Sequence, residues 1–420
     1  MNTGGINQAV VKRMNKLFKI IILLFFQLGL LAGCATSGGQ RTAKQDEVLQ
    51  KVSQELAEDQ LLDVWIELFE PGELPEDKED ARGLSLDIRK AEAYYIPFYL
   101  RGVMEKTGYW GAVRVVPKNT EGAELLVRGT IVSSTGEELR LEVTALDASG
   151  REWFRKIYKA KVEATDYTSI QPPSDSFDAL YHAIANDLAQ FRDTLTDAER
   201  TNIRQIAEMR FAIDMVPDAF SGYLGKDDKD RYTLLKLPAE DDPAIQRVRL
   251  VRERDFLFVD TLNGHFENFY RQMASPYLEW RKARSTEAAA LREIKRKANS
   301  QKALGVAAIL GAIAIEALGG SDTRVSTGTV RDVMVIGGLY SIKMGMDTNA
   351  QSTIYQAAIE ELGESFSSEA KPMVVEVDGE TRELTGTAEA QYEQWRDIMR
   401  KIYASETGLV PVSSSTGVTE

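Results

Sequence analysis

The sequence predicts an α+β protein: a small antiparallel-sheet domain, then a mostly helical domain with a Gly/Ala-rich helical hairpin and a short C-terminal β-hairpin. Three observations carry this reading. The runs "ELLVRGTIV" (124–132), "ELRLEVTAL" (138–146) and "REWFRKIYKAKV" (151–162) are separated by short glycine-containing turns, as in a meander. In the middle run Leu139, Leu141, Val143 and Ala145 alternate with Arg140, Glu142 and Thr144, the period of a strand with one buried face. Farther on, Leu262, Phe266, Phe269, Met273, Tyr277 and Trp280 form one stripe at helical spacing.

Taken in order, "LLDVWIELF" (61–69) alternates like a strand. Ile88, Ala91, Tyr95 and Phe98 predict a helix over 86–106, and "AVRVVP" (112–117) a short strand. Residues 165–176, with Pro172 and Pro173, mark a linker or domain edge. Helices are expected at 177–195 and 197–213, the second opened by a capping box of Thr196 and Glu199. Residues 217–243 are loop-rich, with a short strand inside "YTLLKL". A long helical stretch covers 244–300, and Pro276 is expected to kink or restart it. Its apolar stripe is read as a core face, with a groove for a partner helix as the alternative. From Arg281 to Lys302 eight basic residues face only Glu287 and Glu293, which suggests a solvated face or a surface for anionic headgroups or an acidic subunit patch. A further helix is expected at 350–366, a hairpin turning at Asp378-Gly379 over 373–384, and a last helix over 388–404.

Residues 303–346 are two apolar, Gly/Ala-rich stretches around a polar turn. Gly305 and Gly311 in the first, and Gly337, Gly338 and Gly345 in the second, would let two helices approach closely. Glu316 and Lys343 place one charge in each limb, a cost in lipid and a potential pair across the hairpin. Three readings stand: a hairpin buried in the fold or at a homo-oligomer interface, a membrane-inserting hairpin, and an amphipathic surface pair.

The only cysteine, Cys34, follows Lys16 and Lys19 and an apolar run from Ile20 to Leu31, the layout of a secretory leader. That run is short for a roughly 30 Å hydrocarbon core. Leu31-Ala32-Gly33-Cys34 resembles the bacterial lipoprotein box: a branched apolar residue, two small residues, then cysteine. The resemblance implies cleavage before Cys34, acylation of its thiol and amine, and a stable hold on a membrane through several chains. With Ala35 rather than Asp in the next position, the same resemblance implies the periplasmic face of the outer membrane. Lines such as "LLVRGTIV" and "LRLEVTALDASGREW" resemble the α+β domain of curli-secretion-channel-like and TolB-amino-terminal-like periplasmic proteins. The expected divisions are a leader at 1–33 starting at Met14, a lipidated flexible tether at 34–45, an α+β domain at 46–165 and a helical domain at 175–302. The hairpin at 303–346, a helix–hairpin–helix segment at 347–404 and a disordered tail at 405–420 follow.

The formal net charge is −13, and the leader holds four basic residues and no acidic one, so the chain from Cys34 onward is more acidic still. Nonspecific nucleic-acid binding is therefore not expected. Only two histidines exist, His182 and His265, and no thiol is left after acylation, so a His- or Cys-rich metal site is not expected. Gly225-Lys226-Asp227 fails the phosphate-loop pattern, and Asp227, Asp228 and Asp230 lack the glycine and distal Glu of a calcium loop. No cofactor is called for, and no catalytic role is expected. The expectation is a membrane-held interaction module that meets envelope proteins or copies of itself. The alternatives are a component of an export or pore assembly built on 303–346 and a lipid-anchored hydrolase using carboxylates.

Overall fold

The computed structural model describes residues 38–76, 84–118, 120, 122–168, 170, 174–317, 353–364, 372–377 and 380–407. Six strands form one sheet in the order β1-β6-β5-β4-β2-β3. These are β1 (Gly38–Thr42), β2 (Leu62–Glu67), β3 (Trp110–Val116), β4 (Leu125–Ser134), β5 (Glu138–Asp147) and β6 (Glu152–Lys161). The β4-β5-β6 meander is antiparallel, with Gly129 opposite Val143 and Val143 opposite Lys156. Leu139, Leu141, Val143 and Ala145 are fully buried, as their alternation predicts.

The sheet is mixed rather than antiparallel. Strand β2 lies between β3 and β4 and runs parallel to both. The cause is α1 (Leu86–Glu105), which carries the chain from the end of β2 back to the start of β3 as a crossover connection. The edge strand β3 is closed by a side chain: Asn263 accepts from the Val115 N–H (2.8 Å) and donates to the Val115 carbonyl (2.9 Å). An amide thus stands in for the missing neighbour strand.

The helices α2 (Asp178–Asp193) and α3 (Asp197–Met215) follow, and the capping box of Thr196 and Glu199 is formed in full. A small hairpin of β7 (Leu224–Lys226) and β8 (Tyr232–Leu234) leads to α4 (Pro243–Ala317), a helix of 75 residues. Helix α5 spans 353–364, β9 (Met373–Val377) and β10 (Glu380–Leu384) form an antiparallel pair, and α6 (Ala388–Thr407) ends the described chain.

Three expectations are corrected. Helix α4 is continuous across Pro276, so it does not restart there. Pro276 removes one backbone bond, but Met273, Tyr277 and Trp280 on either side are buried, and that packing holds the helix together. The tether expected at 34–45 is largely structured from Gly38, because β1 adds to the edge of the sheet and the Ala43 N–H bonds the Lys159 carbonyl. Residues 165–176 do not separate two cores. Tyr167 is buried with its hydroxyl on the Gly136 carbonyl (2.6 Å), Asp175 is buried, and one apolar cluster joins sheet and helices. The stripe from Leu262 to Trp280 supplies that joint: Phe266 and Phe269 meet Tyr94 of α1, and Tyr277 meets Tyr95.

Gly136, in the β4–β5 turn, lies against the backbone of α4. A Cβ there would stand 2.4 Å from the Ser285 nitrogen and 2.5 Å from the Arg281 carbonyl oxygen. Gly136→Ala is expected to push turn and helix apart and to cost about 1–3 kcal/mol, read from urea unfolding.

Candidate functional site

Among the buried charges of the described residues, two clusters each join several elements. The first joins α1, β4, α4 and the segment before α2. Glu92 is 0% and Arg281 1% exposed. Glu92 Oε1 accepts from the hydroxyls of Ser134 and Tyr277, and its Oε2 lies 3.8 Å from Arg89 Nε. Arg281 Nη1 donates to Asp175 Oδ1 (3.1 Å), while Nη2 donates to the Tyr277 hydroxyl and lies 3.7 Å from Glu92. Its guanidinium stacks over Tyr277 (4.1 Å) and Phe177 (4.5 Å). Asp175 also accepts from the Phe177 N–H, and the Tyr99 hydroxyl accepts from the Asp175 N–H and donates to Asp178. Burial raises the Asp175 carboxyl, and the Arg281 charge pulls it back. Burial likewise lifts the hydroxyls of Tyr95, Tyr181 and Tyr277 well above their ordinary value, so they stay neutral, and that of Tyr277 donates to Glu92. Beside this cluster a cavity of about 170 Å³ is lined by Phe98, Tyr99, Asp178, His182 and Tyr270, among others. His182 Nδ1 bonds the Glu47 carbonyl (2.8 Å), a contact that ties α2 to the chain leading from β1.

The second cluster docks α6. Arg396 donates to Asp214 of α3 and to Asp255 of α4 (3.2 Å), and Arg400 adds a bond to Asp214 (3.1 Å). Asp255 is 0% exposed and also accepts from the Tyr392 hydroxyl (3.2 Å). Burial raises its carboxyl, opposed by Arg396. Trp395 stacks flat on Phe258, with centroids 4.8 Å apart at 7°. On that side α4, α6 and β9 line an open groove of about 420 Å³ whose walls include Arg254, Glu376, Phe258 and Trp395.

A third feature is an open cleft lined by Glu58, Asp59, Asp63, Glu124 and Arg204. Burial pushes the Glu124 carboxyl up from 4.5 to about 6, against the Asp63 N–H bond to Oε2 (3.0 Å) and the charges of Arg252 and Arg204. The protonated form therefore contributes stability that is full below pH 4.5 and lost as the pH rises through about 6. Glu124→Gln keeps the amide neutral and retains an acceptor for Asp63. Its stability relative to the parent is expected to climb over that window by about 2 kcal/mol at most, checked by urea midpoints on both sides of it. A difference that does not change with pH would assign Glu124 no such role.

The residues singled out from the sequence are placed as follows. Gly305, Gly311 and Glu316 lie on α4. Leu31, Ala32, Gly33, Cys34, Gly337, Gly338 and Lys343 lie outside the described residues, as does the second limb of the 303–346 hairpin. Asp227 accepts from the backbone N–H groups of Lys229 and Arg231 and from the Arg231 guanidinium, and Asp230 pairs with Lys226. Arg281, read as the start of a basic surface, is instead a core residue. Sequence reasoning also missed Glu92, Asp175, Asp214, Asp255 and Arg396. Two carried a signal: Arg281 follows Trp280 and stands four residues from Tyr277, and Arg396 sits between Trp395 and Ile398, so each charge lies next to an apolar stripe. Among the described residues no group of three or more acidic, histidine or cysteine side chains could hold a metal ion, and no helix is long and apolar enough to cross a membrane.

No family model matches the chain, and no curated protein or solved structure matches it either.

Proposed function

We propose that the protein is an outer-membrane-anchored periplasmic lipoprotein, acylated at Cys34, that works as a structural or protein-interaction module of the cell envelope. The observation that carries this reading is the start of β1 at Gly38, four residues after Cys34. At most about 14 Å of extended chain can separate an acylated cysteine from the folded sheet. An anchor this close holds the body against the bilayer surface rather than on a long leash. The buried pairs of Arg281 with Asp175 and of Arg396 with Asp255 support a structural role, since each joins two separate parts of the fold away from solvent.

Extraction tests the anchor. Native protein is expected to remain with membranes in high salt and to show an acylated amino terminus by intact mass. Cys34→Ala is expected to become soluble without detergent. An unacylated native amino terminus would overturn the reading.

A second reading, a component of an export or pore assembly, is favoured by the continuity of α4. One helix runs without a break from the Trp280 packing into the apolar stretch at 303–317. In sequence that stretch is apolar apart from Glu316, a composition suited to packing against lipid or protein. Membrane retention of Cys34→Ala, lost on deletion of 303–346, would select this alternative. Oligomers of the soluble variant that fall to monomers on the same deletion would assign the stretch to self-association.

A further inference from the structure

The cavity between α1, α2 and α4 is lined by side chains that suit one kind of small molecule. Its volume of about 170 Å³ lies below the range of about 300–1,000 Å³ typical of sites for drug-sized ligands, so its occupant is small. One wall is aromatic. Phe98 and Tyr99 of α1 meet Tyr270 of α4, with ring centroids 5.2 Å and 6.1 Å apart and tilts of 37° and 44°. Rings inclined in this way form a curved surface of π faces, which attracts a cation. Phe98 already carries the Arg101 guanidinium at 5.2 Å, and that charge is met by Glu105 (2.9 Å).

The polar groups come from α2 and from the end of α1. Asp178, in the first turn of α2, accepts from the Tyr99 hydroxyl, so its carboxylate is fixed beside the rings. One turn farther on, His182 Nδ1 bonds the Glu47 carbonyl (2.8 Å). A carbonyl only accepts, so Nδ1 carries the proton, and the neutral ring keeps Nε2 as an acceptor with no partner among the described residues. Lys106 follows α1 directly, is exposed, and lines the same cavity. Its ammonium has no carboxylate partner among the described residues. One carboxylate, one ammonium and an uncharged aromatic wall are complementary to a molecule that itself carries one charge of each sign. The wall favours a methylated ammonium, which has no N–H to satisfy and lays its methyl groups on π faces.

We propose that this cavity binds a small zwitterion of the betaine class, with its methylated ammonium on the Phe98–Tyr99–Tyr270 wall beside Asp178 and its carboxylate toward Lys106.

Calorimetric titration of the full chain in detergent with glycine betaine tests this. Saturable one-to-one binding is expected. Tetramethylammonium lacks the acid and glycine lacks the methyl groups, and each is expected to bind about tenfold or more weakly. Lys106→Met should lower the affinity for glycine betaine about tenfold and leave that for tetramethylammonium equal or higher, because only the acid needs the lysine. Asp178→Asn should weaken both. Lys106 is exposed, so an unchanged urea midpoint is expected for Lys106→Met and separates a binding defect from a folding one. Absence of saturable binding of glycine betaine would overturn the proposal, as would binding that neither variant alters. Tetramethylammonium or glycine binding as tightly as glycine betaine would overturn it too.

Discussion

Arg281→Met is expected to destabilise the protein by about 3–5 kcal/mol, the usual cost of taking one partner from a buried pair. The guanidinium joins Glu92 of α1 to Asp175 before α2, so its loss leaves two buried carboxyls with one guanidinium fewer to face. The remaining cation, Arg89, lies 3.8 Å from Glu92 and also donates to the Ile131 carbonyl. The deficit should depend on pH with a definite sign. Burial already raises the folded Asp175 carboxyl, and Arg281 is what restrains it. Without Arg281 that carboxyl rises further, so the protonated form holds the variant at low pH and the penalty grows as the pH rises through the new folded value. Urea midpoints at acidic and neutral pH would measure this. Adding Glu92→Gln and Asp175→Asn should recover a large part of the loss, because neutral groups in the same positions carry no uncompensated charge. A small deficit with no pH dependence would show that the cluster contributes packing alone.

Arg396→Ala is expected to release α6 at a cost of similar size, about 3–5 kcal/mol. Arg396 reaches Asp214 on α3 and Asp255 on α4, and it packs over Phe211 (5.0 Å). Asp255 is then left with the Tyr392 hydroxyl and no cation at hand. The effect should be local first. Exchange in α6 and in the β9–β10 pair should accelerate before the β4-β5-β6 meander responds, because the sheet core does not depend on α6. Asp255→Asn in the Arg396→Ala background should restore part of the protection. Equal acceleration across both parts would show that α6 and the sheet unfold as one unit.

Much of the local structure was legible. The alternation in β5, the capping box at Thr196, the hairpin pairing Val377 with Glu380 and the stripe from Leu262 to Trp280 are each written in a short window, because period and cap chemistry act between neighbours in sequence. The clusters were not legible. Glu92 and Arg281 stand 189 positions apart in the numbering and look like any other charges on a helix. Only the packing of α1 on α4 removes both from water. The same holds for Asp255, an acid within a helical stretch whose partner Arg396 lies on the last helix.

Sequence alone determined the helix or strand character of the longer elements and the buried faces of β5 and of the Leu262–Trp280 stripe, since those depend on short-range spacing and residue chemistry. Tertiary structure decided the direction of β2 against its neighbours, the survival of α4 across Pro276 and the pairing of Arg281 and Arg396 with distant acids. Each of these turns on a comparison no local window contains: the free energy of surface buried between distant segments against the cost of a lost backbone bond or a desolvated charge.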